Sequence, residues 1–246
     1  MKAIILAAGY ATRLYPLTLN TPKALLPIAN KPILNYITDE IATIDAVDEI
    51  VIVSNKKFYN NFVEWKNNYD SKLKITVLDD NTTDDSNKLG AIGDIYFALD
   101  TLKIDDDILV MASDSIFSFP LVNYYNEFKA KNTDMLLTQI IDSEEDLKRM
   151  ANVILSPDGR VIDMVEKPPV PVSNLVSYAA YIYKKDTIPM FKKYLDEGNN
   201  PDAPGHFPSW LHKLKPIYTY SFEGEFYDIG TPQSYEEANE IFKNIK

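Results

Sequence analysis

The chain has 246 residues, of which 46% are hydrophobic and 25% are charged, a balance typical of a globular protein with a sizeable core. Its formal net charge of -11 argues against general affinity for nucleic acid or for anionic membranes. The absence of cysteine excludes disulfides and thiolate chemistry, and it is compatible with a reducing, cytoplasmic location. We expect no signal peptide, because Gly9 and Arg13 interrupt the first apolar run, and no apolar stretch approaches the roughly 20 residues that span a bilayer.

The chain opens with a short apolar run, residues 3–6, that stops at Ala7-Ala8-Gly9. Such a run predicts a buried parallel strand whose loop emerges at the carboxyl end of a sheet, where α/β proteins bind ligands. Small residues let backbone N–H groups approach an anion, and Arg13 and Lys23 place two cations nearby. This combination suits a polyphosphate. Ala7-Ala8-Gly9 alone is more often an ordinary tight turn, and neither a Walker-type phosphate loop nor a dinucleotide fingerprint is present.

Hydrophobic periodicity predicts alternating helices and strands along the rest of the chain, and therefore an α/β fold. Helices are predicted over residues 33–44, 57–69, 121–131, 144–150, 187–195 and 235–242. One further helix is predicted after the polar stretch 79–88, and a short helix is predicted at His206. Strands are predicted over residues 49–54, 74–78, 107–115, 135–141, 152–155, 160–165, 177–183 and 217–222. Ser156-Pro157-Asp158-Gly159 predicts a hairpin turn. Phe58, Phe62 and Trp65 lie at helical spacing and are interpreted as core residues.

Two aspartates that are far apart in sequence, Asp114 and Asp228, each lie at the end of a predicted strand. Two such carboxylates would suit a hard cation such as Mg²⁺. Asp114 alone could equally cap a turn between Ser113 and Ser115, and a hydrolase could use the two carboxylates as acid and base. The cations of the opening loop argue against hydrolysis of a glycoside, which needs no phosphate-binding loop.

Taken together, several segments resemble the signatures of the sugar-phosphate nucleotidylyltransferases, in particular the glucose-1-phosphate thymidylyltransferase-like members. The matching residues are Leu6-Ala7-Ala8-Gly9, Arg13-Leu14, Pro16-Leu17-Thr18, Pro22-Lys23, Leu25-Leu26-Pro27, Glu166-Lys167-Pro168 and Asp228-Ile229-Gly230-Thr231-Pro232. The resemblance covers nearly the whole chain. It implies a Rossmann-like, three-layer α/β/α mixed sheet with an inserted β-rich acceptor-binding subdomain, a fold of GT-A type. We expect a single domain over residues 1–246, with nucleotide binding over about 1–120, acceptor binding over about 121–246, and no appended β-helix.

The resemblance also implies roles for individual residues, which fall into four classes. Arg13, Lys23, Asp114 and Lys167 would be catalytic; Leu6, Ala7, Ala8, Gly9, Asn81, Lys88 and Gly90 would bind the nucleotide, with Asn87 as a further candidate; Glu166, Lys167, Ala179 and Tyr181 would bind the acceptor; and Asp114 and Asp228 would hold Mg²⁺.

Three features depart from the family pattern. The glutamine and proline that thymidylyl and uridylyl members use for the base are missing, serines flank Asp114, and Ala179 stands where a glycine is common. The methyl group of Ala179 would narrow the floor of the acceptor pocket. His206 and His212 lie in no recognisable triad or metal spacing and are interpreted as structural.

The implied reaction is the Mg²⁺-dependent condensation of a nucleoside triphosphate with a sugar 1-phosphate, which gives a nucleotide sugar and pyrophosphate. One alternative is a CTP-dependent cytidylyltransferase that acts on phosphocholine or a phosphonate. Another is a non-catalytic, ligand-binding regulatory paralogue. The expected partners are these small molecules, with no nucleic acid and no membrane, and a homo-oligomer is compatible with the family.

Overall fold

The computed structural model describes residues 1–244 as a mixed α/β protein, as the sequence predicts. Its strands, in chain order, are β1 Lys2–Leu6, β2 Pro27–Ile28, β3 Lys31–Pro32, β4 Glu49–Ser54, β5 Lys74–Asp79, β6 Ile108–Ala112, β7 Ser115–Phe117, β8 Asp134–Ile140, β9 Ala151–Leu155, β10 Val161–Val165, β11 Leu175–Tyr183, β12 Ile217–Ser221 and β13 Phe226–Asp228. Its α-helices are α1 Ile33–Ile41, α2 Tyr59–Asn68, α3 Ala91–Leu102, α4 Leu121–Lys131, α5 Glu144–Leu147, α6 Ile188–Asp196, α7 His206–Leu211 and α8 Pro232–Asn244. Short 3₁₀ turns cover Thr12–Leu14, Lys23–Leu25 and Lys185–Thr187.

The chain forms two compact units. The first, which we call the opening unit, contains residues 3–88, 112–122 and 224–244. The second, which we call the interleaved unit, contains residues 1–2, 89–111 and 123–223. Among residues 1–244, no helix has both the length and the apolar composition needed to cross a bilayer.

In the opening unit, β1, β4 and β5 lie next to one another in that order. β4 and β5 are parallel, with Glu49 opposite Lys74 and Ser54 opposite Asp79. Every residue of β4 is buried, as expected for a strand covered on both faces. The amide of Ala7 donates to the carbonyl of Val53 (2.9 Å), so the chain leaving β1 runs beside the carboxyl end of β4.

In the interleaved unit, the nine-residue strand β11 is antiparallel to β6, β8 and β9. β12 is parallel to β8, and β9 and β10 form the predicted hairpin. Gly159 occupies the positive-φ position of its turn (φ 83°) and donates to Ser156 O. The predicted short helix α7 packs on the core, because Phe207 is fully buried and its ring stacks on Phe191 with centroids 3.9 Å apart.

The predicted continuous strand over residues 107–115 is wrong in one respect. β6 ends at Ala112, the chain turns through Ser113 and Asp114, and β7 begins at Ser115. The break arises because β7 is paired with β13, with Ser115 opposite Asp228. That partner lies more than a hundred residues away, so local periodicity carries no sign of it.

The closing helix begins earlier than its apolar pattern predicts. α8 starts at Pro232 rather than Tyr235, because the hydroxyl of Thr231 accepts a hydrogen bond from Ser234 N (3.1 Å). This is the arrangement of a side-chain N-cap followed by proline in the first helical position. α1 is shorter than predicted and ends at Ile41, although Ile44 beyond it is still buried.

Candidate active site

The loop after β1 is fixed at Ala7 and Ala8, whereas Gly9 is accessible. Ala7 and Ala8 are buried, and the carbonyl of Ala8 accepts a hydrogen bond of 2.8 Å from the fully buried side chain of Asn55. Gly9 is exposed, and a Cβ atom added to it would meet no heavy atom within 4 Å. The backbone at Gly9 is therefore accessible to a ligand rather than covered by the chain.

Arg13 lies on a turn with a fixed geometry. Ala11 adopts the left-handed conformation (φ 48°, ψ 43°), and its carbonyl accepts hydrogen bonds from Leu14 N (3.0 Å) and Thr18 Oγ1 (2.8 Å). Leu14 is buried and anchors this turn. Arg13 itself is exposed and forms no ion pair with any residue in the described part of the chain. Its guanidinium donors are thus available to an anion.

Lys23 and Asp114 form a partly buried ion pair. The ammonium of Lys23 donates to Asp114 Oδ2, and the two side chains are 15% and 25% exposed. Asp114 Oδ1 also accepts a hydrogen bond of 3.2 Å from Ser115 Oγ. Burial by itself raises the pKa of Asp114, but the charge and hydrogen bond of Lys23 outweigh burial, so the pKa lies below its usual value. Asp114 is therefore ionised at neutral pH.

These groups line one cavity of about 410 Å³, which is within the size range of small-molecule sites, roughly 300–1,000 Å³. The cavity lies within the opening unit. Its lining residues are Leu6, Ala7, Gly9, Tyr10, Ala11, Thr12, Arg13, Lys23, Ala24, Asp85, Lys88, Ala112, Ser113 and Asp114. Most of the predicted nucleotide-binding and catalytic residues of this unit are thus brought together. Ala8 and Asn81 are not among them.

Asp228 lies on β13, which pairs with β7, the strand that directly follows Asp114. Asp228 does not line the cavity. The amide of Ile229 donates to the carbonyl of Asp114 (3.1 Å), so the two aspartates start from adjacent backbone positions. The carboxylate of Asp228 turns toward Gly230, where a Cβ atom would lie 3.3 Å from Asp228 Oδ2. Among residues 1–244, no group of three His, Cys, Asp or Glu side chains is arranged to hold a metal ion. The assignment of Asp114 and Asp228 to Mg²⁺ stays a prediction.

Asn81 and Asn87, which were predicted to bind the nucleotide, form hydrogen bonds within local turns. Asn81 is exposed at positive φ (63°), and its Nδ2 donates to Asp79 O (3.3 Å). Asn87 Oδ1 accepts from Thr83 N (3.0 Å) and Asp84 N (3.2 Å). Neither asparagine lines the cavity, whereas Lys88 does.

Gly90 lies in the interleaved unit, immediately before α3, with a φ of 78°. The backbone of residues 201–202 packs directly against it, since a Cβ atom on Gly90 would lie 2.5 Å from Pro201 O. The amides of Ala91 and Ile92 donate to the carbonyls of Asp202 (3.1 Å) and Pro201 (2.9 Å). The long loop of residues 198–205 therefore caps α3, a contact for which the sequence contains no signal.

The predicted acceptor residues Glu166 and Lys167 follow the β9–β10 hairpin. The side chain of Glu166 is 10% exposed and lies 3.9 Å from the ammonium of Lys167. Burial raises the pKa of Glu166, and the charge of Lys167 opposes that rise. Lys167 adopts a positive φ of 47°, and a Cβ atom on Gly205 would lie only 1.9 Å from Glu166 Oε2. Gly205 thus provides the space in which this carboxylate lies.

Ala179 and Tyr181 lie on β11 but in different environments. The ladder between β11 and β8 is irregular between Ser177 and Tyr181, and Ala179 within that irregularity is partly exposed. Tyr181 is only 2% exposed, so its side chain belongs to the core of the interleaved unit. Burial raises its pKa far above the ordinary value, and the charge of Glu166 adds to this rise. Acceptor roles for both residues stay predictions.

Three residues in these regions were not predicted. Asn55 fixes the opening loop, and its signal in the sequence is a polar residue soon after the apolar residues 50–53 of β4. Tyr10 lines the cavity, and its hydroxyl is buried without a hydrogen-bond partner among the residues that the structure describes. Gly205 carries no local signal, because its contact with Glu166 joins segments that are distant in sequence.

Comparison with known proteins identifies the family. Residues 2–244 match the model of the nucleotidyl transferase family. The chain belongs to this family. A likeness of fold agrees with that assignment: a glucose-1-phosphate thymidylyltransferase from Bacillus anthracis, provisionally assigned and solved with sucrose, superposes with a TM-score of 0.83 at 24% identity, covering 100% of this chain and 96% of that one. A UDP-glucose pyrophosphorylase solved with UDP-glucose gives a TM-score of 0.82 at 22% identity, covering 100% and 99%. The expected GT-A-like nucleotidyltransferase fold is confirmed.

Curated relatives extend beyond the matched region. A provisionally assigned mannose-1-phosphate guanyltransferase of Sulfolobus acidocaldarius is 29% identical over 97% of this chain and 62% of its own length. A glucose-1-phosphate adenylyltransferase of Desulfitobacterium hafniense is 27% identical over 96% and 63%. The bifunctional protein GlmU of Methanocaldococcus jannaschii is 31% identical over 97% and 53%. The chain thus spans between about half and two thirds of the length of these nucleotidyl transferase relatives.

Proposed function

We propose that this chain is a Mg²⁺-dependent nucleotidylyltransferase, which transfers the nucleotidyl group of a nucleoside triphosphate to a sugar 1-phosphate and releases pyrophosphate. The observation that carries this proposal is the cavity where the open backbone of Gly9, the exposed guanidinium of Arg13 and the ammonium of Lys23 lie together. Cations and exposed amides are the groups that bind a polyphosphate. A net charge of -11 makes such a local concentration of cations necessary for an anionic substrate.

The donor set is compatible with Mg²⁺. Asp114 is ionised and faces the cavity, and Asp228 is on the neighbouring strand. Mg²⁺ typically takes one or two protein carboxylates and completes its octahedral shell with water and substrate phosphates. The two carboxylates of Asp114 and Asp228, without a third protein ligand, are compatible with this type of coordination. When bound, the ion would neutralise charge on the phosphates of the substrate.

The proposed step needs no protein nucleophile, because an ionised acceptor phosphate is already a competent one. An oxygen of that phosphate attacks the α-phosphorus in line and forms a new P–O bond. The bond from the α-phosphorus to the bridging oxygen breaks, and its electron pair leaves with pyrophosphate. Arg13 and Lys23 hold the phosphate oxygens and stabilise the charge that develops on them, so catalysis consists of alignment and electrostatic stabilisation.

Acceptor binding is assigned to Glu166 and Lys167 in the interleaved unit. The side chain of Lys167 is 59% exposed, and its ammonium suits an acceptor phosphate. The carboxylate of Glu166 can accept hydrogen bonds from donors such as sugar hydroxyls. The relatives named above include enzymes for mannose 1-phosphate and glucose 1-phosphate, which favours a hexose 1-phosphate as the acceptor.

The test is a pyrophosphate-release screen of the purified chain. The four common nucleoside triphosphates are each combined with glucose 1-phosphate, mannose 1-phosphate, N-acetylglucosamine 1-phosphate, phosphocholine and aminoethylphosphonate, first with Mg²⁺ and then with EDTA. We expect release with a sugar 1-phosphate only, loss of release with EDTA, and a nucleotide sugar by mass spectrometry. Release with phosphocholine or the phosphonate alone would instead identify a cytidylyltransferase. Ligand binding without release in any combination would identify a regulatory paralogue.

Arg13→Ala tests the assigned role of the opening loop. Arg13 is exposed and makes no contact that holds the fold, so its loss should leave the melting temperature unchanged. Turnover should fall by roughly 10²–10³-fold, the usual cost of removing one stabilising charge from the transition state. Near-normal turnover in this variant would contradict the assigned role of the opening loop.

A further inference from the structure

In the loop of residues 79–88, which we call the acidic loop, most of the polar side chains form hydrogen bonds within the loop itself. Three of its carboxylates and both of its amides are engaged in local turns, which fix a loop without regular structure. The bonds are Asp79 Oδ1 with Asn81 N (2.8 Å), Asp80 Oδ1 with Thr82 N (2.7 Å), Asp84 Oδ1 with Ser86 N (2.8 Å), Asn81 Nδ2 with Asp79 O (3.3 Å) and Asn87 Oδ1 with Thr83 N (3.0 Å).

Asp85 differs from its neighbours in this loop. It accepts no hydrogen bond from any residue within 1–244 and forms an ion pair with Lys88 at 3.6 Å. Asp85 and Lys88 are 73% and 45% exposed, so their pairing adds little to stability. Both line the cavity that also contains Arg13 and Lys23. Asp85 is therefore a cavity-lining carboxylate that the turns of the acidic loop do not use.

The wall beside them has unused hydrogen-bonding capacity. Tyr10 is 8% exposed and lines the same cavity, and its hydroxyl has no hydrogen-bond partner among the described residues. Burial raises the pKa of Tyr10, the neighbouring hydroxyl of Thr82 opposes this rise, and the negative charges of Asp80, Asp84 and Asp85 add to it. Buried polar groups are rarely left unpaired unless a site has a further role. This wall is consistent with a site that is completed by a ligand.

The chemistry of the facing pair narrows the choice of base. A carboxylate only accepts hydrogen bonds and can take two at once, whereas an ammonium only donates. Guanine presents two adjacent donors, N1–H and the 2-amino group, beside the acceptor O6. Adenine and cytosine offer one amino donor next to ring acceptors, and uracil and thymine offer one N–H between two carbonyls. Guanine is thus the base whose edge matches a carboxylate with an ammonium next to it.

We propose that Asp85 and Lys88 read the base of the bound nucleoside triphosphate and select guanine, with Asp85 accepting from N1–H and the 2-amino group and Lys88 donating to O6. This inference rests on the proposed function, because it assumes that a nucleoside triphosphate occupies the cavity. It adds a specificity determinant, Asp85, that the family signatures in this sequence do not include.

The test measures nucleotide affinity by calorimetry with the full chain, Mg²⁺ and no acceptor. GTP, ATP, CTP and UTP are compared with ITP, which lacks the 2-amino group, and with XTP, which has a carbonyl in its place. The wild type should bind GTP most tightly and ITP roughly tenfold more weakly, since one hydrogen bond to a charged group is lost. In Asp85→Asn, the amide would donate to the 2-carbonyl of xanthine. GTP affinity should therefore fall roughly 10- to 100-fold while XTP affinity rises above it.

Asp70→Asn is the matched control, because it removes one exposed carboxylate of the same unit that does not line the cavity. It should keep the wild-type order of affinities. A wild type that prefers ATP, CTP or UTP, or that binds ITP as tightly as GTP, would overturn the choice of guanine and leave the proposed function standing. The same holds for an Asp85→Asn variant that keeps its preference for GTP over XTP. Absence of binding to every triphosphate would overturn the proposed function and this inference with it.

Discussion

Replacing Lys23 with methionine removes a cation from the Lys23–Asp114 pair and keeps most of the side-chain volume. The carboxylate of Asp114 then stays in a mostly buried site without its counter-charge. Breaking a fully buried pair costs roughly 3–5 kcal/mol, whereas an exposed pair is worth about 0–1 kcal/mol. Because these side chains are 15% and 25% exposed, we expect a loss of about 2–3 kcal/mol in the free energy of unfolding at neutral pH.

The stability lost in Lys23→Met should depend on pH in a direction that a general packing defect would not produce. In the wild type the pKa of Asp114 is lowered, so its contribution to stability is present above the unfolded-state pKa of about 3.9 and is lost as pH falls through the folded-state value. Without Lys23, burial raises this pKa above the unfolded value. Protonation at low pH then relieves the buried charge, so the deficit of Lys23→Met should shrink between neutral pH and about pH 4.

The assay is urea denaturation of the wild type, Lys23→Met and Lys23→Met/Asp114→Asn at both pH values, with pyrophosphate release measured in parallel. The double variant should recover most of the stability at neutral pH, because it removes the uncompensated charge. Its turnover should stay roughly 10²–10³-fold below wild type, because the groups that act on the substrate are missing. An equal deficit at both pH values, or a double variant as unstable as the single one, would refute the electrostatic account of this pair.

Three further outcomes follow from individual contacts. Tyr10→Phe should leave the melting temperature unchanged or raise it, since it removes a buried hydroxyl that has no partner; a loss above about 1 kcal/mol would show that this hydroxyl is bonded in solution. Gly205→Ala should raise the KM for the sugar phosphate roughly tenfold with an unchanged KM for the nucleotide, because its Cβ displaces the carboxylate of Glu166; equal changes in both constants would point to general damage. Asp228→Asn should increase the Mg²⁺ concentration needed for half-maximal turnover and lower the maximum roughly 10²–10³-fold; an unchanged Mg²⁺ requirement would contradict its assignment to the metal.

Local patterns were sufficient for most of the secondary structure. β4 and α4 match their predicted bounds, because an uninterrupted apolar run and a regular helical stripe depend only on near neighbours in the chain. The hairpin at Ser156-Pro157-Asp158-Gly159 was predictable for the same reason, since turn residues act on their own backbone. The break between β6 and β7 was not predictable, because it depends on pairing with β13 at the other end of the chain.

The candidate site divides in the same way. The opening loop, Arg13, Lys23 and Asp114 could be chosen from the sequence, because their residue types and order form a long signature. Asn81 and Asn87 were predicted to bind the nucleotide. In the structure, their side-chain amides form hydrogen bonds within the turns around them. The sequence does not distinguish Asp85 from the other aspartates of the acidic loop. The structure does, because the carboxylates of Asp79, Asp80 and Asp84 accept hydrogen bonds from backbone amides of the loop and that of Asp85 accepts none there.

The sequence by itself determined the strand that delivers the opening loop, the cations that follow it and the family to which the chain belongs, because these depend on residue type and short-range order. Only the tertiary structure decided that Lys23 pairs with Asp114, that Gly205 makes room for Glu166 and that the loop of residues 198–205 caps α3. The physical reason is that each of these contacts joins segments far apart in the chain. Their free energy comes from burial and close approach, which no local pattern of residues records.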